Sequence, residues 1–451
     1  MQVKIQAPGS GKQVILEETN RRISPVGGLS TLAAWFTRIG FMEKLHELMP
    51  FRYASHNAIA PAHTFVAFLV SIILGGERFA HVERLRGDEV LKALFGLKRT
   101  PGDDTVRNFF KRFTRQRVDA FFMPLQAWLL GLVADCDTAL DLDSTVICRH
   151  GEKQEGARKG YNPRRPGRLS HHPLLAFLDK PVFMLHGWLR SGNTAAKTGV
   201  TEFLKEALAM LPASLRIRTV RADSGFFDRK FFEFLEERGL SYIVVAKLTQ
   251  TIRNSIISER EWRRISDTIE VADTTADLLY WGKARRLVVV RELIVSDKKK
   301  PAGRTLLELP RYTIRVFVTN RMDPPEDIWR DYNGRAAMET QIDSLKDDLA
   351  ASGFCMLRFY PTEAAFRSAM VLFNLMSLFQ KHTMPKVRMT HRTTYLCDKI
   401  FRRGALLVEA GRQVLVKIGT SYGGLQDLMP LFRNILQNDP PTSPKLDPMG
   451  A

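Results

Sequence analysis

The sequence predicts an α/β protein with a mostly helical N-terminal part, and three observations carry that reading. Up to about residue 137, apolar residues recur at helical spacing. From Thr138 onward, strand-like and helix-like stretches alternate. Between Lys247 and Asn320, strand patterns follow one another with little helix between them. The expected organisation is a helical region over 1–137 and an α/β region over 138–380 carrying a β-rich insertion at about 248–320. A basic C-terminal region, 381–451, completes it.

In the N-terminal part, apolar clusters at helical spacing mark residues 29–48, 63–74, 90–97 and 118–133. Thr100-Pro101-Gly102-Asp103-Asp104-Thr105 reads as a turn into a helix, with its acids near the positive helix end. Val106, Phe109, Phe110 and Phe113 then form an apolar stripe. Arg107, Lys111 and Arg115 share another face, turned either toward phosphates or simply toward water.

Residues 139–147 (ALDLDSTVI) read as a strand, and 173–178 with 182–189 as a hairpin turning around Asp179-Lys180. A helix at 200–210, a strand at 217–222, a helix at 229–238 and a strand at 242–246 follow. That order is compatible with a ribonuclease-H-like core, a mixed sheet flanked by helices. The insertion shows strand patterns at 268–272, 278–280, 286–295 and 312–319, with an exposed loop at 298–304 (KKKPAGR). An apolar helix at 364–379 precedes a basic segment, 381–403, and a hairpin over 405–418 turns near Ala410-Gly411. Residues 438–451, rich in Pro and polar side chains, read as disordered. Trp262, Trp281 and Trp329 could act as wedges into a nucleic acid or pack in the core, and core packing is the expectation.

Composition narrows the function classes. The chain has 451 residues, 45% of them hydrophobic, enough for two or three domains with real cores. Lys and Arg number 67 against 48 Asp and Glu, a net charge of +19. Such an excess draws polyanions through counterion release, and nucleic acid is the usual one. The longest apolar run, residues 65–74 (FVAFLVSIIL), is too short to span a bilayer, and MQVKIQAPGSGKQVILEE lacks the apolar core of a secretory signal. No membrane partner is expected. Cys136, Cys148, Cys355 and Cys397 show no C-x-x-C spacing, which argues against a zinc site or a disulfide framework.

The most informative segment holds Tyr332, Arg335, Glu339 and Lys346. Residues 325–350 are rich in helix formers and read as one helix despite Gly334. At about 100° per residue, the four side chains fall within a sector of roughly 60°. A carboxylate flanked by two cations on one face suits a site that holds a metal ion and a phosphate together. Two further acids are placed for such chemistry. Asp143 sits mid-strand among Leu140, Leu142 and Val146, where burial is costly unless a cation or donors satisfy it. Asp223 falls where the strand 217–222 breaks into Ser224-Gly225. Asp141 lies two residues from Asp143 on the same strand face, so either could be a ligand, and Asp343 lies about 20° from the Tyr332 direction and could supplement or replace Glu339.

Residues 149–170 (RHGEKQEGARKGYNPRRPGRLS) carry seven Lys/Arg against two acids and read as a flexible loop directly after the first acidic strand. Arg158, Lys159, Arg164, Arg165 and Arg168 are candidates to grip a phosphate backbone, and Tyr161 to stack on an exposed base. His171 and His172, without Cys or His partners at ligand spacing, read as structural or DNA-facing.

Together these motifs resemble bacterial insertion-sequence transposases with an Asp-Asp-Glu active site and a Tyr-Arg-Glu-Lys signature, most of all the thirteen-eighty group. Asp143-Ser144-Thr145 is similar to the first Asp motif, Arg221-Ala222-Asp223-Ser224-Gly225-Phe226 to the second, and Gly160-Tyr161-Asn162-Pro163 to a further stretch. The likeness runs from about residue 28 to 419. It implies metal-dependent cleavage at the ends of a mobile element and strand transfer into target DNA, with Asp143, Asp223 and Glu339 as metal ligands. It also implies that Arg335 and Lys346 act on the scissile or neighbouring phosphate and that Tyr332 contacts DNA near the cleaved end. Mg2+ is the expected ion, with Mn2+ able to substitute, because an all-carboxylate site favours hard cations. Double-stranded DNA, both element ends and target, is the expected partner of a homodimer or higher oligomer in a bacterial cytoplasm, associated with the nucleoid. Two rival readings are a ribonuclease-H-like nuclease without strand transfer and a transposase-derived DNA-binding protein that no longer cuts.

Overall fold

The computed structural model describes residues 2–437 apart from 8, 134–135, 259–260, 279–280, 295–306, 310–311, 385–390 and 412. The chain begins with an antiparallel ribbon, β1 (Gln2–Gln6) and β2 (Gln13–Glu17), and a short β3 (Ile23–Ser24). Six helices follow: α1 (Ser30–Ile39), α2 (Phe41–Leu48), α3 (Pro61–Ile73), α4 (Glu89–Leu94), α5 (Asp103–Lys111) and α6 (Arg115–Leu130). Asp88 starts α4 by accepting from the Leu91 N–H at 2.9 Å, and Thr114 starts α6 by accepting from Arg117 N–H. A helix therefore ends at Lys111 and a new one begins at Arg115. Arg107, Lys111 and Arg115 do not share one helical face, a correction that the Thr114 cap explains.

The acidic strand is β4 (Cys136–Ser144). β5 (Ile147–Cys148), β6 (Arg158–Lys159) and β7 (Leu169–His171) form a small separate sheet, and β8 (Leu174–Leu178) and β9 (Phe183–Trp188) form the expected hairpin. Then come α7 (Val200–Ala209), β10 (Leu215–Ala222), α8 (Arg229–Glu237), β11 (Tyr242–Val245) and a helix that the strand pattern hid, α9 (Gln250–Ser258). The insertion supplies β12 (Arg263–Arg264), β13 (Ile269–Asp277), β14 (Ala284–Leu293), β15 (Leu307–Leu309) and β16 (Tyr312–Thr319). The strand expected at 278–280 is not there at Leu278, which follows the end of β13, and 279–280 lie outside the described residues, as do the 298–304 loop and the 438–451 tail.

The main sheet has ten strands in the order β12-β13-β14-β16-β11-β10-β4-β8-β9, with β15 beside β16. β4 pairs in parallel with β10, and β10 with β11, whereas β8 and β9 add antiparallel on the other side of β4. The insertion is not a body of its own. β16 pairs antiparallel with β11, so β12 to β16 lengthen the same sheet. Its strand patterns were legible, but alternation along one strand does not reveal which edge it joins.

The remaining chain forms α10 (Pro325–Asn333), α11 (Ala336–Asp343), a π-helical turn (Ser344–Asp348), α12 (Phe359–Thr383), α13 (Thr393–Leu396), the hairpin β17 (Ala405–Ala410) and β18 (Gln413–Ile418), and α14 (Met429–Gln437). The helix expected over 325–350 is thus broken after Asn333 and loosened after Asp343. α12 is buried all round from Pro361 to Gln380, and its buried polar groups are paired, Arg367 with Glu363 at 2.8 Å and Asn374 with the Met184 carbonyl at 2.9 Å. It packs against β9, α5 and α6, so the N-terminal helices and the sheet share one apolar core from Val26 to Ile435. Trp262 and Trp281 pack against that core and Trp329 against a smaller one around Phe317 and Tyr332. No helix among the described residues is long and apolar enough to cross a membrane.

Candidate active site

β4 presents Asp141 and Asp143 on one face of the sheet, and their fates differ. Asp141 is buried and taken by Arg221 of β10, whose Nε and Nη2 donate to its two oxygens at 2.6 and 2.8 Å. Asp143 keeps some exposure. Its Oδ1 accepts from Ser144 N–H at 2.7 Å, and its Oδ2 lies 3.0 Å from Arg335 Nη2. β10 runs beside β4 with Ala222 opposite Leu142, so the next residues, Asp223 and Asp143, leave neighbouring strands side by side. Asp223 also caps the following turn, its Oδ1 accepting from Gly225 N–H at 2.9 Å.

Glu339 stands exposed in α11. Burial pushes the Asp143 carboxyl up to about 6, Asp223 and Glu339 push the same way, and Arg335 opposes them. Asp143, far from both in sequence, therefore lies in the field of Asp223 and of Glu339. The three acids do not close on a common point: among the described residues, no three His, Cys, Asp or Glu side chains stand close enough to hold one ion. Their chemistry nevertheless fits a hard divalent cation, since every donor is a carboxylate oxygen and the mutual repulsion is what such a charge relieves. Asp343, also exposed, lies in the field of Arg392 at the far end of α11.

Arg335 is buried, and its Nη2 also donates to the Leu142 carbonyl at 3.0 Å, while its buried Nε has no partner among the described residues. Lys346 reaches back from the π-helical turn to Thr145, its Nζ donating to Oγ1 at 3.5 Å. Tyr332 does not share the exposed face that an unbroken helix would give it. It is buried against Phe317, with ring centroids 4.7 Å apart, so its ring is a core element. Both cations of the signature thus approach the Asp143 strand, and the buried Tyr332 phenol lies in the field of Arg335, Asp223 and Asp143.

The basic stretch after β4 is anchored. Arg149, counted there as a flexible cation, is buried, donating from Nε to His171 Nδ1 at 2.9 Å and from Nη1 to the Ser352 carbonyl at 2.8 Å. His171 and His172 are buried too, the second bonded to the Thr194 carbonyl at 2.6 Å, so both are structural. At Gly160 a Cβ would lie 1.9 Å from the Gly192 carbonyl, so the loop backbone sits directly on the neighbouring turn. Asn162 is buried and accepts from Arg165 N–H at 3.0 Å. On that support Arg158, Lys159, Tyr161, Arg164, Arg165 and Arg168 all stay exposed. Arg107 and Lys111 lie apart on α5, Arg107 paired with Asp103 at 2.7 Å, and Arg115 is exposed at the start of α6.

Sequence reasoning missed two arginines. Arg221 holds Asp141, and Arg190 holds the turn beside Asp223, its Nη1 donating to the carbonyls of Ala195, Ala196 and Thr198 at 3.2, 3.1 and 2.8 Å. Arg221 had a signal, a cation near the end of a strand two residues before Asp223; Arg190 had none.

A family model described as transposase DDE domain group 1 matches residues 6–439, almost the whole chain. The chain belongs to that family, within the DDE transposase superfamily, whose members cut and transfer DNA. No curated protein matches it. Among solved structures it is similar to a chain described as the cryo-EM structure of a piggyBac transposase synaptic complex with hairpin DNA. The identity is 13% over 84% of this chain and 81% of that one, with a TM-score of 0.43.

Proposed function

We propose that the protein is the transposase of an insertion sequence, cutting double-stranded DNA at the element ends and joining them to target DNA. The observation that carries this is the placement of Asp143 in the field of Asp223 and of Glu339, in a chain whose family cuts and transfers DNA. The strand order supports a ribonuclease-H-like core: three antiparallel strands, β9, β8 and β4, continued by β10 and β11 in parallel. Asp143 and Asp223 on adjacent strands, with Glu339 on the helix above, form the ligand set of that reading, and the Tyr-Arg-Glu-Lys signature of the thirteen-eighty group belongs to it.

Asp143, Asp223 and Glu339 would hold Mg2+, or Mn2+ in its place. The chemistry such an ion would supply there is Lewis acidity, toward an attacking water and toward charge on the phosphate. The chain's own residues do the rest. Arg335 holds Asp143 in place by its Nη2 and adds a buried positive charge beside the acids. Lys346, loosely held by Thr145, adds a second cation. Hydrolysis at the element end frees a 3′-hydroxyl; its later attack on a target phosphodiester forms the new bond and expels the target's 3′-oxygen. The exposed cations of the 158–168 loop grip the duplex beside this centre, and a dimer or higher oligomer would pair two ends.

The test uses labelled element-end DNA with Mg2+. The wild type should give nicked and then joined products, whereas Asp143→Ala, Asp223→Ala and Glu339→Ala should each bind DNA without cutting. Substantial cleavage by all three variants would remove the assignment, and cutting without joined products would favour a simple nuclease.

A further inference from the structure

Arg221 joins three elements at a point where the helix carrying the acid site is broken. Its Nε and Nη2 hold Asp141 of β4, and Nη2 lies 3.3 Å from Asp179 in the β8–β9 turn. Its Nη1 donates to both the backbone carbonyl and the carboxylate of Asp331 in α10, at 2.7 and 3.0 Å. In an unbroken α-helix the Asp331 carbonyl would accept from Arg335 N–H. Here the Asp331 carbonyl accepts from Gly334 N–H at 3.1 Å beside Arg221, Arg335 N–H bonds the Tyr332 carbonyl at 3.0 Å, and Met338 N–H bonds that of Arg335 at 2.9 Å. These are the tighter steps of a 3₁₀ turn, each advancing about 120° in place of about 100°.

Gly334 makes the arrangement possible. Its φ of −55° and ψ of −25° are ordinary helical values open to any residue, so the backbone does not require glycine. Space does: a Cβ there would lie 2.9 Å from Arg221 Nη1. The guanidinium cannot simply swing away, because Asp141 and Asp331 pin it from two sides. Arg218 at 3.4 Å and Arg321 hold the same Asp331 carboxylate, so the joint is braced from its outer side as well.

We infer that Arg221 is a positioning residue for the acid cluster. By capturing the Asp331 carbonyl it breaks the helix at Gly334 and sets the rotation of everything after it. That rotation aims Arg335 at Asp143, and it fixes the side of α11 on which Glu339 stands. This role rests on the transposase reading and adds to it a residue that touches neither DNA nor metal.

Two variants of the full-length protein test it. Arg221→Lys keeps the charge but cannot reach Asp141 and the Asp331 carbonyl together. Gly334→Ala keeps the Arg221 side chain, adds a good helix former and pushes on the guanidinium and, at 3.2 Å, on the Asp331 carbonyl that it holds. Four quantities are compared with the wild type: the urea midpoint, Mn2+ affinity by electron paramagnetic resonance without DNA, affinity for element-end DNA, and single-turnover nicking. Residues that orient metal ligands typically govern about 10–100-fold in metal affinity or rate. Both variants should lose about that much in Mn2+ affinity and in nicking, with cooperative unfolding and DNA affinity unchanged.

If Arg221→Lys does not fold, Gly334→Ala alone decides. Wild-type Mn2+ affinity and nicking in Gly334→Ala would overturn the role. A wild type that binds Mn2+ but never nicks would end the transposase reading, and the Mn2+ comparison would then stand by itself, weaker binding supporting the role and equal binding overturning it. A wild type that binds no Mn2+ removes both.

Discussion

Arg335 Nη2 lies 3.0 Å from Asp143 Oδ2 and 3.0 Å from the carbonyl of Leu142, so one buried guanidinium supports both the carboxylate and its strand. It is the countercharge that opposes the repulsion between Asp143 and Asp223. Removing it leaves a mostly buried carboxylate facing two others. Arg335→Ala should therefore destabilise the metal-free protein by about 3 kcal/mol, the usual cost of breaking a buried ion pair from one side. Adding Asp143→Asn to Arg335→Ala should recover most of that loss. Urea denaturation of the two single variants and the double variant measures the coupling, and strictly additive effects would show that the pair is not what holds the strand.

The exposed cations of the basic loop lead to a second expectation. Arg164, Arg165 and Arg168 sit on a support fixed by Asn162 and by the Gly160–Gly192 contact. Replacing all three by Gln should weaken DNA binding and lower the slope of log affinity against log salt by about 2–3, near 0.9 per lost phosphate contact. Fluorescence anisotropy at several salt concentrations reads this directly, and an unchanged slope would place the DNA elsewhere. Stability should hardly change, since none of the three side chains is buried.

A third expectation concerns pH. Burial holds His186 down to about 4, although Glu206 at 2.9 Å pulls the other way. The unfolded imidazole takes up its proton near 6.5. Below that pH the unfolded chain binds a proton that the folded one refuses, so this contribution is complete above 6.5 and is lost as pH falls toward 4. His171, also held at about 4 by burial and Arg149, acts in the same sense. Asp143 acts oppositely: raised to about 6, it makes stability fall as pH climbs from its unfolded value toward 6. The informative quantity is therefore a difference between proteins. His186→Gln should flatten the loss of urea stability between pH 6.5 and 4 relative to the wild type, and parallel curves would contradict the assignment.

Much of this architecture could be read from residue patterns, and the places where it could not share a cause. β4, β10 and the β8–β9 hairpin were visible because alternation and turn chemistry are local. The acids Asp143 and Asp223 were visible because an ionisable group in or at the end of an apolar strand needs a reason. The break at Gly334 was not, since the group that makes it, the Arg221 guanidinium, lies more than a hundred residues upstream. Projecting one helix through that break put Tyr332 on an exposed face, when its ring packs in the core around Phe317. Strand pairing of the insertion was hidden for the same reason, being a relation between distant segments. Arg107, Lys111 and Arg115 were different, because Thr114 is a recognisable helix start and marks the boundary between them.

Asp143, Asp223 and Glu339 are assigned to one divalent-ion site, although among the described residues no three acids stand close enough to hold one ion. Crystals of the protein with uncleaved element-end DNA, soaked in Mn2+ and measured at its absorption edge, test that assignment most directly. The account predicts anomalous peaks within coordination distance of all three carboxylates, with Arg335 still on Asp143. Peaks bound by other side chains, or a map in which Glu339 stays turned away while the crystals remain competent to cut, would contradict it.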